Sequence, residues 1–248
     1  MRSAPDAIIL CGGAGSRLRP LTDGPKAMAP VAGRPFLELL LLQLRRWGME
    51  RVILAVGYRG DVIQSHFGDE AFGLQLLYSP EVIPLGTGGA LRNAADLVES
   101  SVALVLNGDS YTDADLDRFL VRHHESRADL SVLIVPPDGR EDCGTVSIDT
   151  DGGLLTFQEK QAHIGPRYIN AGIYLVSRET LLEIPAGNEI SLERELIPLW
   201  LERGKSITAT VDPSLCHDIG TPERYRNAQA VLAEAESRHS LATLRSWT

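Results

Sequence analysis

The chain has 248 residues, 44% of them hydrophobic and 6% aromatic, enough to build a large α/β unit with a sizeable buried core. Its 24 Lys and Arg against 33 Asp and Glu leave a net charge of −9, so no broad basic surface recommends nucleic acid as a partner. The three cysteines, Cys11, Cys143 and Cys216, lack metal-ligand spacing and argue for a reducing, cytoplasmic setting rather than a disulfide framework.

Met1-Arg2-Ser3-Ala4-Pro5 leads directly into the apolar run Ala7–Leu10, read as a buried strand, so no signal peptide is expected. A helix is predicted over Pro35–Trp47, with Pro35 suited to its first turn. The apolar stretch within it, Leu37–Leu44, contains Glu38 and Gln43 and is far too short to span a membrane, so none is expected as a partner. Then come a strand at Arg51–Val56, a helix around Arg59–Phe67, a strand at Leu74–Tyr78, a helix at Thr87–Ala95 and a strand at Val102–Leu106. A helix at Asp115–His124 and a strand at Leu130–Val135 close this half. Such alternation predicts a Rossmann-like three-layer α/β sandwich around a mostly parallel, mixed sheet.

After Pro136-Pro137 the period changes. Gly144–Ile148 and Leu154–Gln158 alternate as strands, joined by the turn signal Asp151-Gly152-Gly153. A strand at Ala171–Val176, a helix at Ser191–Leu201, a strand at Ile207–Val211 and a helix at Pro222–Glu236 follow. With no linker or internal repeat, 1–248 is expected to be a single domain carrying a small β elaboration, with 226–248 as C-terminal helix and tail.

The segment after the first strand, Leu10-Cys11-Gly12-Gly13-Ala14-Gly15-Ser16-Arg17-Leu18, is the strongest chemical signal. Glycines there let backbone N–H groups approach anionic oxygens, and Arg17 and Lys26 add cations, which together suit a polyphosphate. A P-loop is excluded because no Gly-Lys-Ser/Thr follows. A dinucleotide fingerprint is excluded because Leu18 stands where its third glycine should be. Farther on, Asn107-Gly108-Asp109 ends an apolar strand, at the sheet edge where ligands sit in open α/β folds. His217-Asp218-Ile219-Gly220-Thr221-Pro222 places another aspartate ahead of a helix. Taken singly, each aspartate has a bland alternative as a loop or cap residue.

From Gly12-Gly13-Ala14-Gly15-Ser16-Arg17-Leu18-Arg19-Pro20-Leu21-Thr22 to Pro25-Lys26, the chain resembles the signature of the sugar-1-phosphate nucleotidyltransferases. The resemblance implies that Leu10, Gly12, Gly13, Gly15 and Ser16 hold a nucleoside triphosphate, with Arg17, Lys26 and Asp109 catalytic. It implies Mg²⁺ on Asp109 and Asp218, a role that suits an ion sharing carboxylate and phosphate oxygens. Pro84-Leu85-Gly86-Thr87-Gly88-Gly89-Ala90-Leu91 resembles the stretch against base and ribose, adding Gly86, Thr87 and Gly88, with Asn107 and Gly108 beside them. Glu81 is placed to accept hydrogen bonds from guanine N1–H and N2–H₂.

Cys143-Gly144-Thr145-Val146, Phe157-Gln158-Glu159-Lys160 and Asn170-Ala171-Gly172-Ile173-Tyr174 resemble the sugar-phosphate segments, implying Gly144, Glu159, Lys160 and Asn170 as contacts. Cysteine stands at 143 where the family carries tyrosine. Residues 1–110 would then serve mainly the nucleotide and 111–225 mainly the sugar phosphate. Within the family the chain is most similar to D-glycero-D-manno-heptose 1-phosphate guanylyltransferases. Mannose-1-phosphate guanylyltransferases and N-acetylmuramate-1-phosphate uridylyltransferases come next. The implied substrates are GTP and a sugar 1-phosphate; a homo-oligomer is left open. Two rival readings are a nucleotide-sugar-sensing regulatory subunit without turnover and a nicotinamide oxidoreductase. The first is opposed by Arg17, Lys26, Asp109 and Asp218, the second by Leu18.

Overall fold

The computed structural model describes residues 4–15, 17–18, 24–137, 144–159, 168–214 and 216–232. In chain order, the first half comprises β1 (Asp6–Leu10), β2 (Pro30–Val31), β3 (Arg34–Pro35), α1 (Phe36–Arg46), β4 (Arg51–Val56), α2 (Gly60–Phe67), β5 (Glu70–Ala71) and β6 (Leu74–Pro80). Next come α3 (Gly86–Ala94), β7 (Val102–Asn107), β8 (Ser110–Thr112), α4 (Leu116–Ser126) and β9 (Leu130–Val135). The second half comprises β10 (Gly144–Ile148), β11 (Leu154–Glu159), β12 (Tyr168–Ser177), α5 (Arg178–Glu183), α6 (Ile197–Glu202), β13 (Ile207–Val211), β14 (Cys216–Asp218) and α7 over 222–232.

Among the described residues one ten-stranded sheet runs β11-β10-β12-β7-β1-β4-β6-β5, with β9 on β12 and β13 on β9. The strands β7, β1, β4 and β6 are parallel, as their continuous apolar runs predict. The long β12 reverses direction, pairing antiparallel with β7, β9 and β10. Alternating residues divide the core between the two faces. Ile9, Leu54 and Leu106 pack with α1, α2, α4 and α7, while Ile8, Ile53 and Val105 pack with α3, α5 and α6. The expected three layers are therefore present, and β10–β11 form the β elaboration as an antiparallel hairpin.

Local chemistry accounts for most boundaries. In α1, Leu37, Leu40, Leu41 and Leu44 recur at helical spacing and are fully buried. The carboxylate of Asp115 caps α4 by accepting from Arg118 N at 2.9 Å. Thr221 Oγ1 accepts from Arg224 N at 3.3 Å, so α7 starts where Thr221-Pro222 predicts. Between the hairpin strands, Asp149 Oδ1 accepts from Asp151 N and Gly153 N, at 2.9 and 2.8 Å.

Several expectations need correction. The helix predicted over Ser191–Leu201 opens as a π-turn, Leu192–Leu196, before α6. Pro198 sits in the first turn of α6, where its missing N–H interrupts the regular ladder. The helix predicted from Thr87 begins at Gly86 and tightens to a 3₁₀ turn over Ala95–Leu97. Short α5, capped by Ser177 accepting from Thr180 N at 3.1 Å, and the β8–β14 ladder escape the sequence reading. The tail beyond 232 lies outside the described residues.

Candidate active site

The chain leaves β1, moves to β4 and β6, then crosses back to β7 on the other side of β1. The C-terminal edge between β1 and β7 is thus a topological switch point, where open α/β sheets hold ligands. Backbone bonds fasten the loops there. Cys11 N donates to Ala55 O at 2.8 Å, Tyr58 N to Gly12 O at 3.2 Å, and Gly108 N to Leu10 O at 3.1 Å. A cavity of 770 Å³ opens at this edge. It brings together Leu10, Gly12, Gly13, Gly15, Arg17, Lys26, Glu81, Gly86, Thr87, Asn107, Gly108 and Asp109 of the sequence-derived set. Tyr58, Val82, Ile83 and Glu189 also line it, and the sequence reading singled out none of them. Ser16 lies outside the described residues.

Lys26 Nζ donates to Asp109 Oδ2, and Ser110 Oγ donates to Asp109 Oδ1 at 3.2 Å. Burial alone would raise the Asp109 carboxyl; the Lys26 charge and hydrogen bond, with the Ser110 hydroxyl, outweigh it and hold the group below the usual carboxylate range. Burial pushes the neighbouring Cys11 thiol upward, and the Asp109 charge adds to this. Cys11 is thereby a neutral packing group rather than a nucleophile.

Asp218 reaches the same region from far along the chain. The antiparallel β8–β14 ladder sets Asp218 opposite Ser110, and Ile219 N donates to Asp109 O at 2.9 Å. Asp218 Oδ1 accepts from Gly220 N at 2.8 Å, and Arg224 Nη1 donates to both of its oxygens at 3.2 Å. A Cβ placed on Gly220 would lie 2.8 Å from Asp218 Oδ1 and 3.7 Å from Lys26 Nζ, so the Asp218 and Lys26–Asp109 groups are near neighbours. No group of three or more Asp, Glu, His or Cys side chains arranged to hold a metal ion occurs among the described residues. Two hard carboxylates beside a cavity suit a divalent cation that takes its remaining ligands from phosphate and water. Arg224 on α7 is a further charge in this group that sequence reading missed.

Glu81 follows β6 and turns one oxygen, Oε2, to Leu85 N at 3.1 Å. The other faces the glycine loop, 2.7 Å from where a Cβ on Gly12 would stand. Burial raises the Glu81 carboxyl, and the Leu85 N–H partly opposes that. Gly88 does not line the cavity: a Cβ there would meet Leu196 Cδ1 at 2.5 Å, so this glycine serves the packing of α3 against 190–196. Thr87 Oγ1 donates to Glu193 Oε2 at 2.7 Å and accepts from Leu192 N at 2.8 Å.

The register brings together the residues expected to meet a sugar phosphate: Gly144 faces Glu159 across β10–β11, and a Cβ on Gly144 would lie 3.6 Å from Asn170 Cβ. None of these three lines the 770 Å³ cavity itself. Gly172 joins the two regions. Its φ of 72° marks the β12 register shift, and a Cβ there would lie 2.8 Å from Asn107 Nδ2. Lys160, Cys143 and the side chain of Glu159 lie outside what is described. Behind Asn170 stand Tyr174 and Glu193, both buried and both missed, because a tyrosine in a strand and a glutamate in a helical pattern read as ordinary core and surface.

Residues 6–235 match the nucleotidyl transferase family. A mannose-1-phosphate guanylyltransferase of Mycobacterium tuberculosis is 41% identical over 92% of this chain, which spans 64% of that protein's length. A D-glycero-alpha-D-manno-heptose 1-phosphate guanylyltransferase of Aneurinibacillus thermoaerophilus is 35% identical over 92% of this chain and 98% of its own. The crystal structure of HddC from Yersinia pseudotuberculosis superposes with a TM-score of 0.82 at 32% identity, covering 92% of this chain and all of that one. A second HddC structure, complexed with GMP-PN, gives a TM-score of 0.81. With the glycine loop, Lys26 and Asp109 assembled at the switch point of a matching sheet, the chain belongs to the nucleotidyl transferase family.

Proposed function

We propose that this chain is an enzyme that transfers GMP from GTP to D-glycero-D-manno-heptose 1-phosphate, yielding GDP-heptose and pyrophosphate. The observation that carries this reading is a cavity that joins the Gly12–Gly15 loop, the Lys26–Asp109 pair and Glu81. The heptose-specific names and near-full coverage of such relatives, together with the GMP-PN complex of HddC, support the choice of base and sugar. Mannose 1-phosphate is the second reading, favoured by the 41% identical mycobacterial relative.

A sugar-phosphate oxygen attacks the α-phosphorus, a new P–O bond forms, and the α–β bridge breaks to release pyrophosphate. The monoester is already anionic near neutral pH, so the residues need not remove a proton; their work is positioning and charge neutralisation. Arg17 meets charge growing on pyrophosphate, while Lys26 and Lys160 hold the reacting phosphates against their repulsion. Gly12, Gly13 and Gly15 present backbone to the triphosphate, and Gly144, Glu159 and Asn170 receive the sugar. Asp109 and Asp218 would hold Mg²⁺, which would supply further neutralisation of phosphate charge. Residues 1–110 serve the nucleotide and 111–225 the sugar phosphate within one unit, in the cytoplasm. No described helix is long and apolar enough to cross a membrane.

The test is pyrophosphate release from GTP, ATP, UTP, CTP and dTTP against several sugar 1-phosphates. GTP with heptose 1-phosphate should give the highest kcat/KM. Preference for another base by more than about tenfold, roughly 1.4 kcal/mol of transition-state discrimination, overturns the guanylyl assignment.

A further inference from the structure

Glu193, on the π-turn, is 9% exposed, and its carboxylate receives three hydroxyl groups. Thr87 and Ser191 donate to Oε2 at 2.7 and 3.2 Å, and Tyr174 donates to Oε1 at 3.1 Å. Tyr174, itself fully buried, accepts from Asn170 Nδ2 at 2.6 Å, and Asn170 Oδ1 accepts from Gly172 N at 3.0 Å.

A carboxylate has no proton to give, so it fixes the direction of every hydrogen bond that reaches it. The Tyr174 hydroxyl gives its proton to Glu193, and its oxygen faces Asn170 as an acceptor. The Gly172 N–H can only donate and so fixes the Asn170 oxygen, while the Tyr174 oxygen receives the amide nitrogen, so the side chain is held at both ends. One amide N–H and one oxygen lone pair remain for a ligand, in a fixed order. A buried apolar residue would pack this space without desolvating a charge, so packing alone does not explain a carboxylate here.

We propose that Glu193 is a positioning residue for sugar 1-phosphate, keeping the Tyr174 oxygen an acceptor that holds the Asn170 amide in place. The inference rests on the transferase reading, in which Asn170 meets the sugar. A glutamine at 193 keeps the shape but brings a donor of its own, which lets the Tyr174 proton turn toward the Asn170 amide and break that bond.

The experiment compares wild type, Glu193→Gln, Tyr174→Phe and the double variant by pyrophosphate release from GTP with heptose 1-phosphate and with mannose 1-phosphate. Each single variant should raise KM for the sugar 1-phosphate about tenfold while changing KM for GTP less than threefold. The double variant should be no worse than the worse single one, because one chain of hydrogen bonds is broken once. Additive losses, unchanged sugar KM, or equal effects on both substrates overturn the proposal; a lowered melting temperature without the KM split assigns Glu193 to stability alone. Should Glu193→Gln fail to fold, the KM split in Tyr174→Phe decides. A wild-type protein inactive in every combination removes the transferase reading and this role with it, whereas an active wild type with indifferent variants removes the role only.

Discussion

Replacing Gly108 by alanine presses directly on the joint between β1 and β7. The added Cβ would stand 2.5 Å from Leu10 O and 3.3 Å from Cys11 Sγ. An ordinary carbon–oxygen approach is about 3.3 Å, so the two strand ends must part by about 0.8 Å. Both neighbours are anchored, Leu10 within a strand paired on both sides and Cys11 by its bond to Ala55 O. Overpacking of this kind costs about 1–3 kcal/mol, and weakening the 3.1 Å Gly108 N–Leu10 O bond adds about 1 kcal/mol. For a chain of this size the total of about 2–4 kcal/mol is a fall of about 4–16 °C in Tm. Asp109 is the next residue and moves with the joint, and misplacement near 1 Å at a reacting centre costs on the order of 10² in rate. Calorimetry and pyrophosphate release on Gly108→Ala read the two effects separately. A variant with unchanged Tm and a kcat within twofold of wild type would show that the joint is neither tight nor coupled to Asp109.

Gly13→Ala is the counterpart, since a Cβ there meets nothing within 4 Å and points into open space at the cavity. Its stability should stay within about 0.5 kcal/mol while KM for GTP rises; an unchanged KM would place the triphosphate elsewhere. Asp109→Asn and Asp218→Asn should retain the fold, lose most activity at ordinary magnesium concentrations, and weaken Mn²⁺ binding measured by electron paramagnetic resonance. Normal turnover in both would remove the two-carboxylate site. His123 is 3% exposed, its Nδ1 lies 2.8 Å from Ser131 Oγ, and Ser131 is 2.9 Å from Thr208 Oγ1. Burial first and the nearby His124 charge second lower its pKa from 6.5 to about 4. Its neutral form therefore stabilises the fold fully above pH 6.5, and that contribution, on the order of 3 kcal/mol, fades as pH falls toward 4. The fall in Tm across that window should be shallower in His123→Gln, and an identical slope refutes the assignment.

How much could be read beforehand depended on distance along the chain. The loop Gly12–Gly15 follows an apolar strand immediately, so its place at a sheet edge was evident from neighbouring residues. Lys26 and Asp109 were each visible as candidates, yet their direct pairing depends on how the sheet brings their loops together. Gly88 clears Leu196, and such a glycine looks the same in sequence as one that clears a ligand. Arg224 and Glu193 carried no local signal. Their partners Asp218, Tyr174 and Thr87 become neighbours only through helix docking and strand register. Short α5 was overlooked because its cap, Ser177, ends a strand whose apolar pattern dominates the window.

The ladder between β8 and β14 also has a meaning in time. During synthesis β1, the glycine loop, Lys26, β7 and Asp109 all emerge and can assemble before Asp218 exists as part of the chain. Only when Cys216–Asp218 threads back to pair with Ser110–Thr112 does the second carboxylate arrive, followed at once by Arg224 on α7. Closing so long a loop is among the slower steps that entropy imposes on a folding chain. On the proposed reading, the loop that faces the triphosphate is therefore complete along the chain before the paired carboxylates are.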